Sequence, residues 1–165
     1  MKTITINLYS FDELSDKAKE KAKLKWYEHE DFPMLEENLT DSCEYFLEQA
    51  GVKFSDISLL YSLSCSQGDG LCFTGTIEKN GIKLKLTHSY RYYFARSVTM
   101  YFEDAEGNEM DNDDETLKAI YFDVCAKLEK QGYDEIEYRM TDAEFSEHCE
   151  ANDYTFEADG TMNNG

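Results

Sequence analysis

Leu71-Cys72-Phe73-Thr74-Gly75-Thr76-Ile77-Glu78-Lys79-Asn80-Gly81-Ile82-Lys83-Leu84-Lys85-Leu86-Thr87-His88 lies near the middle of the chain and decides its fold. Asn80-Gly81 separates two β-type runs. The tightest hairpin turns need positive φ at both central residues, which Asn and Gly adopt at least cost. Residues 71–77 and 82–88 therefore read as a hairpin. Residues 57–64 before it and 97–103 after it read as further strands of one antiparallel meander, with a turn at 104–108.

Helical patterns flank this β block. Leu14, Ala18, Ala22 and Trp26 recur at helical spacing, and Ser10 with Glu13 makes a capping box, so a helix is expected from there to about Tyr27. Lys17, Lys19, Lys21, Lys23 and Lys25 alternate, which spreads them around such a helix instead of forming a basic stripe. Leu35, Leu39, Cys43, Phe46, Leu47 and Ala50 mark a second helix over 34–50, ended by Gly51. Leu117, Ile120, Tyr121, Val124 and Leu128 mark a third, starting near 111–114 and stopping before Gly132. A fourth spans about 142–152, with Thr141 as cap and Glu144 as its partner. The alternation in Lys2-Thr3-Ile4-Thr5-Ile6 predicts an opening strand over 2–8, and 154–157 a closing one. The expected order is β-α-α-β-β-β-β-α-α-β. That is an α+β fold with an antiparallel sheet of four or five strands and helices on one face. It forms a single domain over 1–160, with 161–165 as a flexible tail.

Charge narrows the partners. The chain carries 16 basic and 35 acidic residues, net −19. Residues 1–102 hold 12 basic and 15 acidic side chains, whereas 103–165 hold 4 and 20. A nucleic-acid binder shows the opposite sign, and an anionic membrane surface is also disfavoured. Such a field attracts basic protein surfaces. With 41% hydrophobic residues, the acidic third is not a disordered tail. No signal-peptide or membrane-spanning run is visible. Five cysteines (Cys43, Cys65, Cys72, Cys125 and Cys149) without a C-x-x-C pair suit reduced thiols acting as small buried hydrophobes, so a cytoplasmic location is expected.

The acidic residues form two groups. Glu103, Asp104, Glu106, Glu109, Asp111, Asp113, Asp114 and Glu115 have no basic residue among them. Glu144, Glu147, Glu150 and Asp153 recur every three residues, which on a helix makes a slowly winding row stepping about 4.5 Å. Carboxylates so spaced imitate the phosphates of a nucleic-acid strand. Asp104, Glu106, Asn108 and Glu115 fall at positions of a calcium-loop template, but Glu109 stands where that loop needs Gly. Cys65, Cys72 and His88 lack the paired spacing of a zinc site. No nucleophile pattern accompanies the histidines, so no catalytic residue, metal or cofactor is assigned. Ser66-Gln67-Gly68-Asp69-Gly70 reads as a glycine-rich turn or an anion nest. His88 to Arg96 interleaves basic and aromatic residues. As a strand it would put Tyr90, Tyr92 and Phe94 on one face, suited to a protein interface or to base stacking.

Three segments resemble small proteins encoded by phages and prophages: Ile4 to Ser15 with the following Lys17-Ala18-Lys19-Glu20-Lys21-Ala22 and Trp26; Ser66-Gln67-Gly68-Asp69-Gly70 with Phe73 and Gly75; and Thr141 to Gly160. The resemblance touches both ends and the middle, and carries over no catalytic or binding residue. It implies an action on host defence or transcription machinery, where several anti-restriction and anti-CRISPR inhibitors are acidic DNA mimics. The expected function is therefore inhibition of host defence, with a CRISPR effector or restriction enzyme as the basic partner and no direct nucleic acid or membrane contact. Glu103, Asp104, Glu106, Glu109, Asp111, Asp113, Asp114, Glu144, Glu147, Glu150, Asp153, Tyr90 and Tyr92 are the candidate contacts. The alternatives are an RNA- or nucleotide-binding module built on the Gly-Asp-Gly loop and the Tyr/Arg segment, and a small metal-assisted enzyme.

Overall fold

The computed structural model describes every residue except Glu30, Asp31, Pro33, Asn164 and Gly165. The elements run α1 (Asp16–His29), α2 (Leu35–Gln49), β1 (Lys53–Ser62), β2 (Gly70–Lys79), β3 (Ile82–His88), β4 (Val98–Glu103), α3 (Glu115–Arg139), α4 (Asp142–Ala151), β5 (Thr155–Phe156) and β6 (Met162–Asn163). The α+β class and the antiparallel meander are as expected. The chain divides into two compact units, residues 33–134 and residues 1–32 with 135–165, and the division falls inside α3. No helix among the described residues is long and apolar enough to cross a membrane.

In the unit 33–134 the sheet order is β1-β2-β3-β4, all antiparallel. Asn80 (φ 54°) and Gly81 (φ 80°) make the hairpin turn, and Lys79 pairs with Ile82. Leu84, Leu86 and Phe102 are buried between exposed or half-buried Lys83, Lys85 and Tyr101, the alternation a half-buried antiparallel sheet requires. β1 carries a bulge: between Ser55 and Ser58 it advances one residue more than β2, and Asp56 takes φ 57°. Gly75 stands opposite, at φ 128°. Leu35, Leu39, Cys43 and Leu47 form the buried stripe of α2. Lys79 Nζ donates to the Ala50 carbonyl at the end of that helix, 2.9 Å away. Leu117, Tyr121, Val124, Cys125 and Leu128 are the buried hydrophobic side chains of α3 in this unit.

The unit formed by 1–32 and 135–165 has its own core of Phe11, Leu14, Ala18, Ala22, Phe145, Cys149 and Phe156, with Tyr9, Trp26, Tyr154 and Met162 packed against it. Phe11 meets Phe145 edge-on at 4.8 Å. Lys21 Nζ reaches Asp159 Oδ2 at 2.6 Å.

Several sequence expectations are corrected. Residues 2–8 form no strand; Tyr9 alone pairs, with Phe156, through N–H···O bonds of 2.8 and 2.9 Å. The first helix does not start at Ser10. Glu13 accepts from the Ser10 backbone N–H (2.8 Å) and hydroxyl (3.1 Å) and so closes a separate 3₁₀ turn, Phe11–Glu13. Ser15 then caps α1 by accepting from the Ala18 N–H. Helix α3 does not stop at Gly132 but runs to Arg139. Gly132 sits mid-helix against Leu63, where a Cβ would collide with that side chain. The glycine is there for close approach, not for termination. In the segment expected to be a tail, Met162–Asn163 pairs with β5; Asn164 and Gly165 lie outside the described residues.

Candidate functional site

Local folding positions the first acidic group. Asp104 Oδ1 accepts from the backbone N–H of Glu106 (3.0 Å) and Asn108 (2.9 Å), and this builds the turn after β4. Asp114 caps α3 by accepting from the Leu117 N–H at 2.8 Å. Glu103 pairs with Lys85 (2.8 Å) and Asp113 with Lys118 (3.1 Å). Glu106, Glu109, Asp111 and Glu115 are exposed and have no ion-pair partner among the described residues. Glu115 opens α3 while Asp104 is committed to its turn, so the calcium-loop positions do not converge. Among the described residues no three His, Cys, Asp or Glu side chains are placed to share a metal ion.

The second acidic group belongs to the other compact unit. Helix α4 buries Phe145, Ser146 and Cys149 and leaves Glu147 and Glu150 exposed. Asp153 is exposed beyond the helix end, at φ 55°. Glu144 does not form the expected capping box. It accepts from the Tyr138 hydroxyl at 2.8 Å, a bond that raises the tyrosine pKa, while Thr141 Oγ1 donates to the Tyr138 carbonyl. A depression of about 280 Å³ opens beside α4. Phe11, Cys149 and Tyr154 give it an apolar side, and Ser10, Glu150 and Asp153 a polar and acidic one. Its shape and sign suit a lysine or arginine side chain, with the stem on the rings and the cation on the carboxylates.

The aromatic segment differs from expectation. β3 ends at His88, and 89–94 is irregular, so the Tyr90–Tyr92–Phe94 face does not arise from a strand. The three rings nevertheless cluster, with centroids 5.9–6.2 Å apart, and Tyr90 is exposed. This cluster covers the Ser66–Gly70 loop. A Cβ on Gly68 would collide with the Tyr92 ring, and one on Gly70 would fall 2.6 Å from Phe94 Cα. Asp69 ties the loop together. Its carboxylate accepts from Ser62 Oγ (3.0 Å), Ser64 Oγ (3.2 Å), Ser66 N–H (3.1 Å) and Oγ (3.0 Å), and from Tyr133 Oη (2.7 Å). Tyr133 was invisible to sequence reasoning, because 64 residues separate it from Asp69.

Burial alone would raise the Asp69 pKa, but the bonds from Tyr133, Ser66 and Ser62 outweigh it and the net shift is downward. A depressed carboxylate contributes stability that is present above its unfolded value, about 3.9, and is lost as pH falls through the folded value. The protection of the Ser66 amide, measured as its exchange relative to the intrinsic rate at each pH, is therefore expected to fall as pH drops below about 4. The Asp69→Asn variant should exchange fast already at neutral pH; slow exchange in that variant would refute the assignment. Burial, then the bond to Asp69, raises the Tyr133 phenol well above the ordinary tyrosine range.

Four cysteines are buried as expected, and burial pushes Cys72 up to about 11 and Cys43 and Cys149 up to about 12. Cys65 is the exception: it is exposed, at φ 58° on the serine-rich loop.

The chain matches no protein-family model, no curated protein and no solved structure.

Proposed function

We propose that this chain binds, without catalysing a reaction, a basic protein surface that otherwise holds nucleic acid, and that the partner is a CRISPR effector or restriction enzyme in the cytoplasm of a bacterial host. The observation that carries this proposal is the depression beside α4, an apolar seat bordered by Glu150 and Asp153, which are exposed and have no ion-pair partner among the described residues. Glu147 extends the same negative surface, and the net charge of −19 supplies long-range attraction to a basic groove.

The test is inhibition of DNA cleavage by such an enzyme, measured against salt. Inhibition should weaken steeply between about 50 and 200 mM salt, as for a ligand that displaces counterions from a basic groove. Neutralising Glu147→Gln, Glu150→Gln and Asp153→Asn together should weaken it by about tenfold, roughly 1.4 kcal/mol. Inhibition unchanged in that variant, with its melting temperature retained, would remove the proposal.

The seating of Tyr92 on Gly68 and Phe94 on Gly70 favours a second function, RNA or nucleotide binding by that loop. Against it stands Asp69, held as a carboxylate at the loop centre where a phosphate would approach. The same salt series with labelled RNA in place of the enzyme separates the two.

A further inference from the structure

Residues 1–8 are all exposed, Ile4 at 82%, Ile6 at 59% and Leu8 at 45%. None of them has positive φ, and none makes a hydrogen bond to another described residue. A segment with strand alternation and apolar side chains in water, whose backbone groups await partners, is an open edge. It is also the low-charge part of a very acidic chain: residues 1–10 hold Lys2 and no acidic residue.

We propose that residues 2–8 form a strand that pairs antiparallel with the same segment of a second copy of this chain, about a twofold axis at Thr5. The pairing at Tyr9, the alternation it imposes and the sequence of the segment itself support this partner and this register. Tyr9 exchanges both backbone bonds with Phe156, so the small β5–β6 sheet already has a third member at Tyr9. In an antiparallel strand successive residues direct their N–H and C=O to opposite sides. Continued from Tyr9, that parity turns the backbone groups of Lys2, Ile4, Ile6 and Leu8 away from β5, toward the free edge. A twofold at Thr5 then gives hydrogen-bonded Ile4–Ile6 pairs between copies and a close, non-hydrogen-bonded Thr5–Thr5 pair. The segment is self-complementary in this register: β-branched residues face each other, Thr3 faces Asn7, and the aliphatic stem of Lys2 faces Leu8. Ile4, Ile6 and Leu8 of both copies share one face. The result is one sheet running through both copies.

The rest of the surface opposes this contact, because two chains of net −19 repel each other. Screening that repulsion strengthens the dimer, since the Debye length falls from about 10 Å at 0.1 M salt to about 3 Å at 1 M. The trend is opposite in sign to that expected for the basic partner, so the two proposals stand or fall separately. The experiment is light scattering on the full chain from low to high salt at about tens of micromolar, where small interfaces associate. The expected mass approaches twice 19.2 kDa as salt rises. Ile6→Lys should weaken association by roughly tenfold, since it opposes a charge to an apolar cross-strand partner, with the melting temperature unchanged because Ile6 touches no core. In a Cys65→Ser background, Thr5→Cys should oxidise to a covalent dimer, because close cross-strand Cα pairs lie within disulfide range. A monomer at every salt and concentration overturns the proposal. So does a dimer indifferent to Ile6→Lys, or a Thr5→Cys chain that fails to cross-link.

Discussion

Gly75→Ala is expected to lower the melting temperature by roughly 6–12 °C, equivalent to about 3 kcal/mol in a chain of this size. Gly75 sits at φ 128°, a region closed to other residues. A Cβ there would fall 2.8 Å from both the Ser55 and the Asp56 carbonyl oxygens of the bulge. Those are backbone atoms of a paired strand and cannot rotate aside. Relief would require the bulge to flatten, which would shift the register of β1 by one residue and reverse its faces. Gly107→Ala is the control: Gly107 is also left-handed, at φ 81°, but a Cβ there meets nothing within 4 Å. It should cost only about 1 kcal/mol, from the backbone alone. Equal melting temperatures for the two variants, read by circular dichroism, would show that the bulge contact carries no weight.

Tyr121→Ala should cost about 3–5 kcal/mol, the range for removing a large buried ring. Tyr121 is fully buried, with Phe73 at 4.9 Å and Phe122 at 5.2 Å. Its hydroxyl donates to the Ala95 carbonyl at 2.6 Å. Burial, the largest influence on the phenol, raises its pKa far above the ordinary value, so the group remains a donor at any working pH. Tyr121→Phe keeps the ring and removes only the bond, at about 1 kcal/mol globally. Its local effect should be larger. Ala95 opens the 3₁₀ turn directly after Phe94, so losing the anchor should speed amide exchange across 89–97. Denaturant unfolding separates the global costs. A Tyr121→Phe variant as unstable as Tyr121→Ala would mean that the bond, not the ring, dominates.

What the sequence made legible was local. Asn80-Gly81 named the hairpin because its chemistry admits few other backbones, and the stripe from Leu35 to Leu47 named α2 because helical spacing repeats there without interruption. What escaped depended on partners far along the chain. Alternation from Lys2 to Ile6 says which side chains share a face, not whether a neighbouring strand exists. Gly132 looked like a stop because nothing local reveals that Leu63 needs its space. The aromatic segment read as strand from its composition, yet its rings are organised by two glycines some 24 residues earlier. Among the acidic candidates, sequence could not separate Asp104 and Asp114, which fold their own backbone, from Glu106, Glu109, Glu147 and Glu150, which face solvent without an ion-pair partner among the described residues.

The unit that holds α1 has a consequence for synthesis. Lys21 and Asp159 stand 138 residues apart in the chain, yet they pair on the surface of one compact unit. Helix α1 leaves the ribosome early, but α4, Phe156 and the β5–β6 pair follow only after the whole sheet. At about 5–20 residues per second, α1 spends many seconds without its core, while residues 33–134 are already long enough to fold. During that interval Phe11 lacks Phe145 and Phe156, and Trp26 lacks Phe145, His148 and Tyr154, so these rings are open to chaperones and proteases.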